Sequence, residues 1–156
     1  MLPYSLALAL HTVAAVIWVG GMFFAHMALR PALAAMEPAE RLGLWLRLLP
    51  RFFAWVWAAV LALLATGYGM LFLGYLGGLG GGGMTVDVMQ VTGLVMMVLF
   101  VYLFFAPWQA FKRAMKAGDL AEAAENQARI RRIVTVNLVL GLVTTAIGAS
   151  GAAGAY

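Results

Sequence analysis

Four long stretches of this chain contain no charged side chain, and this feature constrains its fold more than any other. With Asp, Glu, Lys and Arg taken as the charged residues, the stretches are 2–29, 52–86, 88–111 and 133–156. A hydrocarbon core about 30 Å thick requires about 20 helical residues, and each stretch meets that length. Apolar segments of this length and uniformity predict membrane-spanning helices rather than the core helices of a soluble protein.

The amino-acid composition excludes the classes of soluble globular protein. The chain is 65% hydrophobic and only 10% charged, whereas soluble domains carry about 25% charged residues. Cysteine is absent, which excludes disulfides, thiolate metal sites and cysteine nucleophiles. The first uncharged stretch has no basic region before it and exceeds the roughly 7–15 apolar residues of a signal peptide. It is therefore expected to be a retained helix.

The sequence predicts an all-α integral membrane four-helix bundle that forms a single domain over the whole chain, 1–156. Proline, glycine and charge boundaries place the spans at about 2–29, 51–76, 85–106 and 133–153. The first span is expected to end before Pro31, because the residue before a proline is pushed out of the helical region. The segment 37–50 alternates charged and apolar residues, which predicts a short interfacial helix in the headgroup plane.

Capping residues predict the remaining helix ends. Thr85 is expected to cap the third span. Between the third and fourth spans, Gly118 is expected to end one helix. Asp119 and Glu122 resemble a capping box that starts the next helix, which is expected to continue without interruption into the fourth span. These two polar helices form a predicted helical hairpin.

The basic residues predict an orientation. All ten lie in two connections, one between the first and second spans and one between the third and fourth. Under the positive-inside rule both connections are cytoplasmic, so the glycine-rich loop 77–83 and both termini face outward. Basic residues that flank membrane spans indicate orientation rather than a nucleic-acid surface, and no nucleic-acid partner is expected.

The two histidines carry the most chemical information, because ionisable groups inside a membrane are costly and usually face the bundle interior. His11 and His26 are about 22 Å apart along the first helix, so they cannot share one metal ion within a subunit. Helical phase places Met22 within about 20° of His11, with His26 one turn beyond. Imidazole and thioether are copper ligands, and thioether favours Cu(I). A neutral imidazole is also a common axial ligand of haem iron.

Depth along the helices favours a site in the outer half of the bundle. Counting inward from the outer ends places Thr66 and Gly67 at the level of His11, together with Gly93, Leu94, Thr144 and Thr145. Several methionines lie within about two turns of that level. The candidate metal ligands are His11, Met22, His26, Met89 and Met96.

Structural interpretations of these residues stay open. Methionine commonly fills gaps in apolar cores. His11 has an alternative role as a hydrogen-bonding residue that contacts Thr144 or Gln90, and His26 as an interfacial residue that reaches toward the headgroups. No Ser/His/Asp set and no pair of buried carboxylates occurs, so no catalytic residue is predicted.

Several short motifs resemble the CopD-like family of bacterial membrane proteins. In the first helix they are Leu10-His11, Trp18-Val19-Gly20-Gly21 and Leu29-Arg30-Pro31-Ala32-Leu33. Further along the chain they are Leu49-Pro50-Arg51-Phe52-Phe53 and Phe105-Ala106-Pro107-Trp108. Members of that family are linked to copper resistance and copper uptake. The resemblance implies a multi-pass protein of the bacterial inner membrane that handles copper.

The first helix also resembles that of HemJ-type protoporphyrinogen oxidases, in which the corresponding histidine ligates haem. This resemblance implies a b-type haem on His11, with Trp18 as a further cofactor contact and a quinone or respiratory protein as electron partner. Those proteins also use a lysine in a later helix, and no spanning segment here contains one. A third possibility is an accessory subunit without a cofactor. Besides the lipid bilayer, a second copy of the chain is an expected partner, since His11 lacks an obvious second strong ligand in its own chain.

Overall fold

The computed structural model describes residues 2–73, 76–79 and 82–153, which are helical almost throughout and contain no strand. The elements are α1 (Leu2–Phe24), a π-helical turn (Ala25–Leu29), α2 (Arg30–Ala32), α3 (Pro38–Phe72), α4 (Gly83–Phe105), α5 (Pro107–Ala117) and α6 (Leu120–Ala153). Within these residues four helical segments are long and apolar enough to cross a membrane: Pro3–Ala32, Pro38–Phe72, Gly83–Ala117 and Leu120–Gly151. The predicted all-α four-span fold is confirmed.

The outer surface of the bundle is apolar. Every span carries large aliphatic side chains that are more than half exposed, among them Val16, Leu61, Val98 and Val139. Monomeric soluble proteins rarely expose contiguous apolar surfaces of this kind. The outer surface therefore suits contact with lipid.

The first span continues through Pro31 to Ala32, so the predicted end before Pro31 is wrong. Proline has no N–H to donate to the preceding turn, and its ring clashes with a carbonyl there. The turn before it is π-helical, and the Arg30 N–H donates to the Ala25 carbonyl, five residues earlier. Local π-helical adjustments of this kind accommodate proline in membrane helices.

The segment 37–50 is helical as predicted, but it is continuous with the second span rather than separate from it. The resulting helix α3 has 35 residues and is about 52 Å long, which exceeds the thickness of a hydrocarbon core of about 30 Å. Leu42, Trp45 and Leu49 are buried in the protein core. The apolar stripe that the sequence assigned to the membrane surface therefore packs against protein.

The helix ends near α6 follow the predicted capping. Gly118 ends α5 with a φ of +75°, a left-handed conformation that favours glycine. The Glu122 N–H donates to Oδ1 of Asp119 over 2.9 Å, which is the first half of the predicted capping box. In contrast, Thr85 is not a cap. Helix α4 begins at Gly83 without any side-chain cap, because Gly83 itself forms the turn with a φ of +71°.

Close approach at glycines holds the spans together. Helix α1 packs along α3, and α4 packs along α6. A Cβ on Gly21 would meet the Phe52 ring, and one on Gly141 would meet Val19 and Met96. In lipid, helices associate through small residues that allow such contacts.

An aromatic cluster joins α3 to α4. It lies in the half of the bundle that carries the two basic connections, which we call the basic end. We call the opposite half the glycine end. Phe53 and Trp57 of α3 meet Phe100 and Phe104 of α4, with ring centroids 5.1 to 6.0 Å apart. The steep angles between these rings are of the edge-to-face type that aromatic pairs prefer. Much of the buried core therefore lies in the basic half.

Replacing Gly141 by Ala is expected to destabilise the bundle. The new Cβ would lie 2.8 Å from Cγ2 of Val19 and 3.1 Å from Cε of Met96, and Val19 is β-branched and stiff. Overpacking of this kind costs about 1–3 kcal/mol. Thermal unfolding in detergent measures the effect. Gly20→Ala is the control, since nothing lies within 4 Å of its Cβ, and equal melting temperatures for the two variants would contradict the prediction.

Single cysteines are expected to report the orientation, because the natural chain has none. Leu79 lies exposed in the glycine loop and Lys116 lies exposed on α5. In intact cells Leu79→Cys should react with a membrane-impermeant maleimide, whereas Lys116→Cys should react only after permeabilisation. The opposite labelling pattern would invert the predicted topology.

Candidate metal site

A chain of two hydrogen bonds fixes the His11 side chain at the contact between α1 and α3. Nδ1 of His11 lies 2.8 Å from Oγ1 of Thr66. The Thr66 hydroxyl donates its proton to the Ala62 carbonyl over 2.6 Å. A hydroxyl has one proton to donate, so Oγ1 accepts its bond with His11 from the Nδ1–H group. In this neutral tautomer, Nε2 carries the free lone pair.

Two consecutive residues of α3 create the space for the ring. Thr66 supplies the hydrogen bond, and Gly67 supplies room, since a Cβ on Gly67 would lie 3.2 Å from Cε1 of His11. Both residues are at the depth predicted by counting inward from the helix ends. The hydrogen bond to Thr66 therefore fixes the imidazole on one side, and the absence of a side chain at Gly67 leaves room for the ring on the other.

The expected hydrogen-bond partners of His11 are wrong. Thr144 of α6 donates to Thr92 of α4 over 2.7 Å, while the Gln90 amide donates to the carboxylate of Asp87 over 3.5 Å. Depth counting gives the height of a residue in the membrane, but it does not give the lateral order of the helices. Helix α1 packs mainly along α3, so the imidazole meets Thr66.

The two other candidates on α1 lie in the protein core. Met22 is 2% exposed and Trp18 is 3% exposed, and the Trp18 ring packs edge-on against Phe100 at a centroid distance of 6.2 Å. Met22 lies about 16 Å along the helix from His11. The predicted stripe of His11 and Met22 thus faces the bundle, but the two side chains are too far apart to bind one ion.

Met89 and Met96 lie at the contact between α4 and α6. The Met89 thioether lies against Gly148, and that of Met96 lies against Gly141. The backbone carbonyl of Met96 accepts a hydrogen bond from the Asn137 amide over 3.1 Å, and Oδ1 of Asn137 is buried without a partner among the described residues. These thioethers therefore belong to a different helix contact from His11.

His26 lies in the π-helical turn at the basic end and lines a pocket there. Its polar neighbours in the pocket wall are Arg30, Gln127 and Arg131. Sequence reasoning missed this grouping, because Gln127 and Arg131 are about a hundred positions away on α6. No sequence signal identifies this grouping, because the rise and period of a helix do not give its lateral neighbours.

The chemistry available at the glycine end is that of a single, well-positioned imidazole nitrogen. Among residues 2–73, 76–79 and 82–153, no three His, Asp or Glu side chains form a group that suits a metal ion. The second ring nitrogen of a metal-binding histidine usually donates to an acceptor that fixes the tautomer. Thr66 provides such an acceptor, so one subunit offers one oriented ligand atom.

The Thr66→Val variant is expected to lose the single tautomer of His11, because it removes the acceptor of the Nδ1–H group. In ¹⁵N NMR of histidine-labelled protein, one ring should show protonated Nδ1 and bare Nε2 in the wild type, and mixed tautomers in the variant. Thr92→Val is the control, since its hydroxyl bonds Thr144 instead. An unchanged His11 spectrum in Thr66→Val would contradict the assignment.

Comparison with known proteins gives a family. The family model for copper resistance protein D, CopD, matches residues 46–150. No curated protein and no solved structure matches the chain, so the likeness of the first helix to HemJ-type proteins stays an expectation. The CopD match covers most of α3 and all of α4 and α5, together with nearly all of α6; it does not include His11. Since the match spans more than half of a chain with four membrane-spanning helices, the protein is a multi-pass membrane protein that belongs to the copper resistance protein D family.

Proposed function

We propose that this protein handles copper in the bacterial inner membrane, in uptake or resistance, and that Nε2 of His11 is its principal copper ligand. The observation that carries the proposal is the hydrogen bond between Nδ1 of His11 and Oγ1 of Thr66. Because the Thr66 hydroxyl donates its proton to Ala62, we assign the His11 proton to Nδ1 and the free lone pair to Nε2. Family membership indicates the metal, because the family is that of copper resistance protein D. Imidazole is a suitable ligand for copper.

The location of His11 supports a site within the outer half of the bundle. The imidazole is half-buried between two spans, and the positive-inside rule puts this end of the protein on the outer side of the membrane. A metal ion that arrives from outside would reach His11 before any other candidate ligand on the first span. Thr66 then acts as a positioning residue that keeps the ligand nitrogen available.

The other candidate ligands fit separate copper-binding positions rather than one shared coordination sphere. These ligands are Met22, Met89, Met96 and His26. Met96 lies beside Val19 of α1, less than one turn from Met22. Both thioethers are buried, and thioether is a soft ligand that favours Cu(I). His26 lies about 22 Å from His11, at the opposite end of the first span. The proposal places copper at these sites in succession.

A second copy of the chain completes the outer site in this proposal. The described residues give His11 no further imidazole or carboxylate within a metal-binding group. Leu10, the neighbour of His11 on α1, is more than half exposed. In this proposal a second copy that packs against α1 supplies the further ligand.

Cu(I) binding to the purified protein tests the proposal. Under reducing, anaerobic conditions, competition with a chromophoric Cu(I) chelator should show a high-affinity site in the wild type. His11→Ala should abolish that site, and Thr66→Val should weaken it by about 10–100-fold, as loss of an outer-shell partner does. His26→Ala is the matched control and should keep the outer site. Wild-type affinity in His11→Ala would overturn the ligand assignment.

The same samples separate copper handling from the two rival functions. A Soret absorption band that disappears in His11→Ala would identify a b-type haem protein instead. Folded protein that binds neither copper nor haem would support an accessory subunit. Trp18 stays the proposed further cofactor contact of the haem alternative, and its ring is buried in the core.

A further inference from the structure

Met70 lies on the same face of α3 as the two residues that lie against the His11 ring. Thr66 forms a hydrogen bond with the ring, and a Cβ on Gly67 would meet it. At about 100° per residue, Met70 lies in phase between these two, about 40° from Thr66 and about 60° from Gly67. It is about one turn nearer to the glycine end. The helical period therefore places Met70 beside the contact that orients His11.

The side chains of His11 and Met70 tilt toward the same level between α1 and α3. His11 meets Thr66. Gly21, later on α1, meets Phe52, earlier on α3, so the two helices are antiparallel. A helical side chain tilts toward the N-terminus of its own helix and covers the turn before its own Cα. His11 therefore tilts toward the glycine end and Met70 toward the basic end, so the two side chains approach each other.

Met70 is buried apart from the continuous core of the bundle. Only 6% of the residue is exposed. The buried side chains that α3 contributes to the core cluster end at Val60, well before Met70 along the helix. The main neighbour of α3 is α1. The first span therefore supplies most of the cover of the Met70 side chain, at the helix contact that contains His11.

The free ring nitrogen of His11 is not pressed against the backbone of α3. A Cβ on Gly67 would have Cε1 and Nδ1 of the ring within 4 Å, at 3.2 and 3.7 Å, but not Nε2. Among the described residues, the hydrogen bond at Nδ1 is the only one that the His11 side chain forms. The lone pair on Nε2 is therefore available to a metal ion on the side of the ring that faces away from Thr66.

We infer that the Met70 thioether is a copper ligand that acts together with Nε2 of His11 in the same subunit. This inference rests on the proposed copper function. Imidazole suits copper, and thioether selects Cu(I). Zinc sites use thiolate, imidazole and carboxylate ligands instead, so Met70 gives the site its preference for Cu(I). The ligand that a second copy supplies then adds to this pair.

The Cu(I) affinity of Met70→Leu tests the inference on the intact protein. Leucine conserves volume and apolar character, and such swaps are well tolerated in protein cores. In competition with a chromophoric Cu(I) chelator, Met70→Leu should weaken the high-affinity site by more than the roughly 10–100-fold expected for Thr66→Val, because it removes a metal ligand rather than an outer-shell partner. The matched control is Met97→Leu, the same substitution at a half-buried position of α4, which should keep the wild-type affinity.

Methionine-methyl NMR gives a second measurement that needs no substitution at Met70. In protein with ¹³C-labelled methionine methyl groups, the assigned Met70 resonance should shift when one equivalent of Cu(I) is added. The same addition to His11→Ala should leave the Met70 resonance in place, because the two ligands belong to one site. The wild-type spectrum stays decisive if Met70→Leu does not fold, and an unshifted Met70 resonance there would refute the ligand.

The outcomes separate this inference from the proposed function. Wild-type affinity in Met70→Leu, with the site lost in His11→Ala, would refute Met70 as a ligand and leave copper binding at His11 intact. Wild-type affinity in His11→Ala would overturn the proposed function itself. Equal weakening by Met70→Leu and Met97→Leu would mean a general effect of packing, and it too would refute the ligand.

Discussion

The architecture depends on how closely its helices can approach one another in lipid. Lipid tails are as apolar as the side chains that contact them, so no hydrophobic force drives one span against the next. Association then depends on contact at small residues. Gly141 admits Val19 and Met96, Gly148 admits Met89, and Gly67 admits the His11 ring. The aromatic cluster between α3 and α4 supplies the remaining large contact.

The same constraint explains which polar groups lie inside the bundle. Most of its threonines satisfy their hydroxyl proton on the preceding turn, as Thr66 does on Ala62 and Thr92 on Val88. Such a hydroxyl keeps its lone pairs free to accept a bond from a neighbouring helix. Thr66 accepts the Nδ1–H of His11 in this way. A polar residue that is already satisfied within its own helix thus becomes the acceptor that orients the proposed ligand.

The two ends of the protein differ in chemistry, and the first span connects them. At the glycine end, His11 presents one neutral nitrogen between two helices. At the basic end, His26 lines a largely apolar pocket together with Arg30 and Arg131. A soft cation suits the first environment. The copper function is therefore proposed at the glycine end.

Sequence alone determined the membrane class, the number of spans, the capping at Gly118 and Asp119, and the depth at which Thr66 lies beside His11. These features follow from hydropathy, local backbone preference and a fixed rise per residue, all of which act along the chain. Only the tertiary structure decided that α1 packs on α3, that Thr144 pairs with Thr92 and that Gln127 and Arg131 lie beside His26. The physical reason is that helix period and length fix a residue's height and phase, whereas lateral neighbours depend on how side chains from distant helices interlock.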